Sequence, residues 1–320
     1  VSPVQVGLGL WAMRSTARRP RPWPALYEEL REDAVLAESL GFDSVWLAEH
    51  HFWYDGWCPQ PLLAAASCLG ATSRLRVGTA MHLLPQHDIG VVSRDVGQLL
   101  DHFGDRLDLG VSIGYRDEEY DAVGVERARR GRRMDGHLDR LLGDHAGRLA
   151  SPARVFVGGI APAVIERAGS RGMSLLLPNT LTAVELAKRR TAAQASAVAA
   201  GRAAGRVGVM VDTWLTSGAD EAEVRERIVA HYREYTGAWF RLRGEPAFDR
   251  PDLLDRQSER NRVSAVVGDG ERVLAGLTEL RDAGADTIVL QVHADASVGE
   301  HRAVMARLAE DVLPKLRGTA

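Results

Sequence analysis

Short apolar runs alternate with longer amphipathic segments along the whole chain, and this alternation limits the fold more than any other feature. The apolar runs lie at residues 4–10, 44–48, 76–80, 107–112, 154–157, 174–177, 207–213 and 287–291, eight in all. Each is short enough for a buried strand and is followed by a segment with helical spacing. No two runs are joined by a tight hairpin turn. Strand–helix repetition of this kind predicts a parallel sheet with helical crossovers, and eight units close into a (β/α)₈ TIM barrel. An open doubly wound sheet is the competing architecture. Gly7-Leu8-Gly9-Leu10-Trp11 fails the dinucleotide-binding turn at its third glycine, which counts against it.

The helical signals are local. Leu26, Leu30, Ala34, Ala37 and Leu40 recur at steps of three and four before Gly41 ends the segment. Pro162 opens a helix at its favoured first position, and Asp220 to Glu223 has capping-box spacing. The Ala-, Gly- and Arg-rich stretch at residues 191–206 reads as a surface helix and turn. The acidic run at 117–121 reads as a loop before the basic helical stretch that starts at Arg127, and residues 241–262 read as a long polar loop, of the length that forms lids or binding loops. The expectation is one domain over residues 1–320 with a mobile loop at about 241–262.

Composition narrows the function classes. Of 320 residues, 45% are hydrophobic and 26% charged, with a net charge of −3, a soluble globular balance with no basic excess for nucleic acid. Apolar runs are interrupted too early to cross a membrane, and the first residues lack a signal peptide's pattern, so the expected location is the cytoplasm. Cys58 and Cys68 are too few for a disulfide scaffold and read as buried thiols.

In a barrel, residues directly after the strands face one mouth, where chemistry takes place. This gathers Trp11, Glu49, His50, His51, Met81, His82, Ser112, Tyr115, Gly159, Ile160, Asn179, Trp214 and His293. His50 is the sharpest candidate, because an imidazole exchanges protons near neutral pH and an adjacent glutamate can orient it. The plainer alternative is that one of His50 and His51 caps the strand. A metal site is the weaker reading, since adjacent strand residues point to opposite faces and no His-x-x-x-His pair is present. No metal is expected. Gly158-Gly159-Ile160-Ala161-Pro162 places backbone N–H groups at a helix N-terminus, where a phosphate is favoured, and Arg129, Arg130, Arg132 and Arg133 offer a second phosphate ligand.

With Glu49-His50-His51-Phe52 after the second strand, Val77-Gly78-Thr79-Ala80-Met81 at the third and Gly110-Val111-Ser112-Ile113-Gly114 at the fourth, the sequence resembles the bacterial luciferase-like flavin monooxygenases. The resemblance covers nearly the whole chain and is most specific at residues 41–52. It implies a (β/α)₈ barrel, usually dimeric, that takes reduced FMN from a separate reductase and uses molecular oxygen through a flavin peroxide. By the same resemblance His50 takes the place of the catalytic histidine, and Ala80-Met81 matches a non-prolyl cis peptide beneath the flavin. Ser112 stands where luciferase carries a dispensable cysteine. Ile113 replaces a phosphate-holding arginine, which leaves the phosphate to Gly159, Ile160 and Ala161 with Arg130 or Arg132. The short connection at residues 142–154 lacks a family hairpin.

The expected function is therefore a two-component monooxygenase that hydroxylates or epoxidises a hydrophobic, possibly polycyclic secondary metabolite. Trp11, His82, Tyr115, Asn179 and Trp214 are expected to line its substrate pocket. The alternatives are a deazaflavin-dependent hydride-transfer oxidoreductase and a non-catalytic flavin-binding subunit.

Overall fold

The computed structural model describes residues 3–9, 21–51, 58–149, 154–216, 221–242, 251–292 and 298–318. The strands are β1 (Gln5–Gly9), β2 (Ser44–Leu47), β3 (Arg76–Thr79), β4 (Leu107–Val111), β5 (Val155–Gly158), β6 (Ser174–Leu177), β7 (Val207–Leu215), β8 (Val266–Gly268) and β9 (Thr287–Val292). All pairings are parallel. β1 to β6 follow one another in order, β6 pairs β7, β7 pairs β9, and β9 returns to β1, so eight strands close a barrel. The three-residue β8 is the addition. Among the described residues it pairs only with the far end of β7, Thr213 to Leu215, beyond the ring itself.

The helices are α1 (Trp23–Ser39), α2 (Pro61–Ala71), α3 (Ile89–Phe103), α4 (Asp117–Ala122), α5 (Arg130–Asp144), α6 (Pro162–Arg171), α7 (Ala183–Ala199), α8 (Glu221–Leu242), α9 (Pro251–Ser264), α10 (Gly270–Asp282), α11 (Val298–Asp311) and α12 (Leu313–Arg317). Three expectations need correction. The polar stretch at 241–262 is helical from Pro251 onward, its last residues packed so that Ser258 and Asn261 are buried. Its polarity reflects one solvated face rather than an absence of structure. The alanine-rich helix begins at Ala183, where Thr182 and Glu185 form a complete capping box, and it ends before Gly201. The acidic run at 117–121 is the helix α4, whose first turn holds three acids against the positive end of the helix dipole. The capping spacing at Asp220 lies outside the described residues.

Strand period two divides the core. On β2, Val45 and Leu47 face outward into the continuous core beneath the helices, whereas Trp46 points into the barrel with Ala80, Phe156, Leu176 and Val289. Trp46 meets Phe156 edge to face at 5.2 Å and donates its indole N–H to Ser44 Oγ at 2.9 Å. Glycine makes the room. A Cβ on Gly78 would fall 2.3 Å from the Trp46 ring, and one on Gly7 2.9 Å from its nitrogen.

At the N-terminal end of the strands, Asp108 closes the barrel floor. It takes two hydrogen bonds from Arg76, at 2.8 and 2.6 Å, and lies 3.5 Å from Arg206, whose guanidinium covers Phe156 and donates to Gln5. The opposite end is left for the functional residues. Among the described residues, no helix is long and apolar enough to cross a membrane.

Candidate active site at the barrel mouth

β2 ends at Leu47 and delivers Ala48 and Glu49 into the interior while His50 and His51 emerge half-buried. Glu49 is 1% exposed. A buried carboxylate needs partners to remain ionised, and this one has four. Oε1 accepts from His51 Nε2 at 2.7 Å and His87 Nε2 at 2.6 Å, and Oε2 from His82 Nδ1 at 2.5 Å and the Leu83 N–H at 2.9 Å. Burial pushes the Glu49 carboxyl up, but the His82 charge and the three imidazole hydrogen bonds outweigh it and hold Glu49 well below the usual range. Burial alone would lower His51. Its bond to Glu49 and the Glu49 and Glu119 charges raise it instead.

His50 occupies the other side of the turn. Its N–H donates to the Cys58 carbonyl at 3.2 Å, its Nδ1 lies 3.8 Å from Glu119 Oε1, and its ring centroid is 6.1 Å from that of the exposed Tyr115. Glu119, from α4, is itself buried. It accepts from the His51 N–H at 3.1 Å and from the fully buried Arg116 at 3.0 Å, and Arg116 also donates to the His51 carbonyl. Burial raises the Glu119 carboxyl, yet the hydrogen bond and charge of His50, the His51 N–H and Arg116 bring it below its ordinary range. The His50 ring thus faces an ionised carboxylate across 3.8 Å.

β3 brings the next residues. The Ala80–Met81 peptide is cis. Ala80 is buried among the inner residues. The Met81 side chain lies over β4 and β5, where a Cβ on Gly158 would meet it at 2.7 Å and one on Gly110 at 3.0 Å. The chain then bridges back: the His82 N–H donates to Gly110 O at 2.8 Å and the Ser112 N–H to His82 O at 3.0 Å. After β5, Gly159 has φ +128°, a conformation that disfavours any side chain, and Gly159 and Ile160 are half-buried before α6 opens at Pro162. Arg130 donates to Arg127 O, and Arg132 is exposed at the start of α5.

The predicted pocket residues divide. Trp11 and His293 lie outside the described residues. Tyr115 stands beside His50. His82 instead lies 2% exposed, bonded to Glu49 and stacked on His87 with centroids 4.3 Å apart. Trp214 is packed into a second core with Val224, Ile228, Tyr232 and Val267, because β7 runs on past the ring to meet β8 and α8. Asn179 is half-buried and donates to Asp212 at 2.9 Å and to Gln291 at 3.3 Å.

Spacing did not reveal several of the groups assembled here. His87 arrives from beyond β3. Adjacent strand residues diverge, but Glu49 and His51 are two apart and converge. Asp212, a carboxyl within an apolar strand, was the visible signal for a further network: Tyr232 donates to it at 2.6 Å, and Asn179 and Asn261 add longer bonds. Burial pushes Asp212 up more than these bonds pull it down.

Fold and mouth together define a (β/α)₈ barrel whose strand ends present imidazoles, a methionine shelf and a glycine turn. A family model described as luciferase-like monooxygenase matches residues 9–287. The chain is 36% identical over 103 residues to the alkanal monooxygenase alpha chain of the Kryptophanaron alfredi symbiont, a stretch covering 32% of this chain and 29% of that one. It is 34% identical over 125 residues to the 4-hydroxyprotoasukamycin monooxygenase of Streptomyces nodosus subsp. asukaensis, covering 38% and 33%. These alignments thus span about a third or less of each relative. A type II Baeyer–Villiger monooxygenase, the oxygenating constituent of 3,6-diketocamphane monooxygenase from Pseudomonas putida, solved with FMN, superposes with a TM-score of 0.75. That match covers 98% of both chains at 17% identity, a likeness of fold. The chain belongs to the luciferase-like monooxygenase family.

Proposed function

We propose that this chain is a reduced-FMN-dependent monooxygenase that adds one oxygen atom of O₂ to a hydrophobic small molecule, with flavin supplied by a separate reductase. The residues of the mouth fit a planar, phosphorylated flavin. Gly158 lacks the Cβ that would displace Met81, so the thioether can form a flat apolar shelf between β4 and β5. The Gly159, Ile160 and Ala161 backbone before α6 suits a phosphate, with Arg130 and Arg132 at the start of α5 as cationic ligands. Ser112 and Ala80 complete the proposed cofactor contacts. When bound, reduced flavin supplies the electrons that activate oxygen.

The observation that carries the reading is His50, half-buried at the mouth with Glu119 3.8 Å from its Nδ1. In that place His50 holds a proton at the ring and returns it as the oxygen-transfer step requires, and Glu119 keeps the ring oriented. Tyr115 and Asn179 are placed to contact the organic substrate. The similarity to an alkanal monooxygenase and to 4-hydroxyprotoasukamycin monooxygenase supports oxygenation of an organic small molecule, which we read as hydroxylation or epoxidation of an apolar metabolite. Leu63 and Val91, exposed on the neighbouring α2 and α3, offer an apolar face for a second copy, consistent with a homodimer.

The test is oxygen uptake with enzymatically reduced FMN and a panel of apolar substrates. Product formation with uptake above that of flavin alone is expected. Binding of a deazaflavin without oxygen uptake would establish the hydride-transfer reading instead. His50→Ala should lose about 10²–10⁴-fold in product formation, the range for a positioned acid–base group, while reduced-flavin binding is kept. Undiminished turnover would remove His50 from proton handling.

A further inference from the structure

Glu49, His51 and His87 bring three ligand atoms, one carboxylate oxygen and two imidazole nitrogens, within 4.8 Å of one another. We propose that they form a site for a first-row divalent cation, separate from the flavin chemistry and independent of it.

The donor set is the first argument. Two neutral imidazoles and one carboxylate suit zinc and its first-row neighbours, with solvent completing the coordination. The ligand atoms already converge: both Nε2 atoms approach the same oxygen, Glu49 Oε1, at 2.7 and 2.6 Å. Tetrahedral zinc with bonds of about 2.0–2.1 Å places neighbouring ligand atoms about 3.3 Å apart. Accommodating it requires the two Nε2 atoms to withdraw from Oε1, now 2.7 and 2.6 Å away, by about 0.6–0.7 Å, to settle at the same spacing from one another, and to give up the protons they now donate.

The surroundings are the second argument. Glu49 Oε2, the oxygen turned away from the site, is fixed by His82 Nδ1 and the Leu83 N–H, so Oε1 is presented as a single ligand atom. The His51 backbone is held at both ends, its N–H by Glu119 and its carbonyl by Arg116. The His87 carbonyl accepts from Arg133 at 3.1 Å, and its ring is stacked on His82. Supporting contacts of this kind orient ligands and are a regular part of metal sites. Access is present as well. The His51 and His87 side chains are 21% and 19% exposed. His87 and His82 also border a groove of about 510 Å³ between α2 and α3. A cation here would join the turn after β2 to the segment after β3 immediately beside His50.

The same atoms could serve only as a hydrogen-bonded cluster around Glu49, and metal measurements separate the two. The purified full-length chain, stripped with a chelator and dialysed, is titrated with Zn²⁺ by calorimetry and its bound metal is counted per chain. Co²⁺ serves as the spectroscopic probe. The expected result is one saturable site per chain, with cobalt d–d absorption typical of mixed nitrogen and oxygen ligands. His87→Gln and His51→Gln should each remove that site and its cobalt spectrum, with far-UV dichroism unchanged. His82→Gln, which alters only the support, should weaken binding about 10–100-fold. Absence of saturable binding to the parent chain, or binding that persists unchanged in folded His87→Gln and His51→Gln variants, overturns the proposal. If either of these two variants fails to fold, a parent cobalt spectrum lacking imidazole ligation does the same.

Discussion

The carboxyls at the barrel mouth show how position decides the behaviour of one functional group. Glu49 and Asp212 are both buried. Glu49 is surrounded by three imidazoles and is held low, whereas Asp212 has only neutral donors and is raised by burial. A raised carboxyl keeps its proton in the folded state after the unfolded chain has released it. Stability therefore falls as pH rises from the unfolded value of about 3.9 up to the folded one, and then levels off. Asp212→Asn removes this loss. Its melting temperature relative to the parent should climb from pH 4 upward and then plateau, and a difference that stays constant from pH 4 to pH 8 would contradict the assignment. The two thiols follow the same logic without partners. Burial pushes Cys58 and Cys68 each up to about 12, so iodoacetamide at pH 8 should leave both unmodified until the chain is denatured. The expectation of inert buried thiols rested on number and spacing, and their burial gives it a cause.

Among the elements, the strands tolerate least. β3 and β4 pack so closely that a Cβ on Gly110 would lie 1.9 Å from the Thr79 carbonyl oxygen, a backbone atom that cannot rotate away. At Gly78 the obstacle is the Trp46 ring, which has only side-chain freedom to yield. Gly110→Ala should therefore cost more than Gly78→Ala, both within or above the range of about 1–3 kcal/mol for overpacking. Denaturant midpoints at unchanged slope are the measurement. Helix identity was less legible than strand identity. α9 was hidden because a mostly charged segment such as Arg256, Glu259, Arg260 and Arg262 lacks a wide apolar stripe, while Ser258 and Asn261, buried among its described side chains, are polar. α4 was hidden by its six-residue length, too short for periodicity to register.

The barrel as a whole is held at its floor by charge and along its walls by apolar packing. Asp108 on β4 joins Arg76 on β3 and Arg206 just before β7, and Arg206 reaches Gln5 on β1, so one buried carboxylate ties strands across the ring. Asp108→Ala leaves two arginines facing each other. Because both are partly solvated, the cost should fall toward or below the low end of the roughly 3–5 kcal/mol for breaking a buried pair. Thermal or denaturant unfolding would show it, and a loss within 0.5 kcal/mol, as is usual for a surface position, would mean the floor carries no such load. The sequence by itself determined the eight-strand ring, the mouth at the strand ends and the prominence of His50. Period-two runs and their order along the chain are local properties, and parallel crossovers leave few ways to close them. Only the tertiary structure decided which groups meet at that mouth. Glu49 gains His82 and His87 from beyond β3, His50 gains Glu119 from α4, and Trp214 turns to a second core. Such contacts join residues tens of positions apart through the register of neighbouring strands, and linear spacing carries no record of which side chains converge across them.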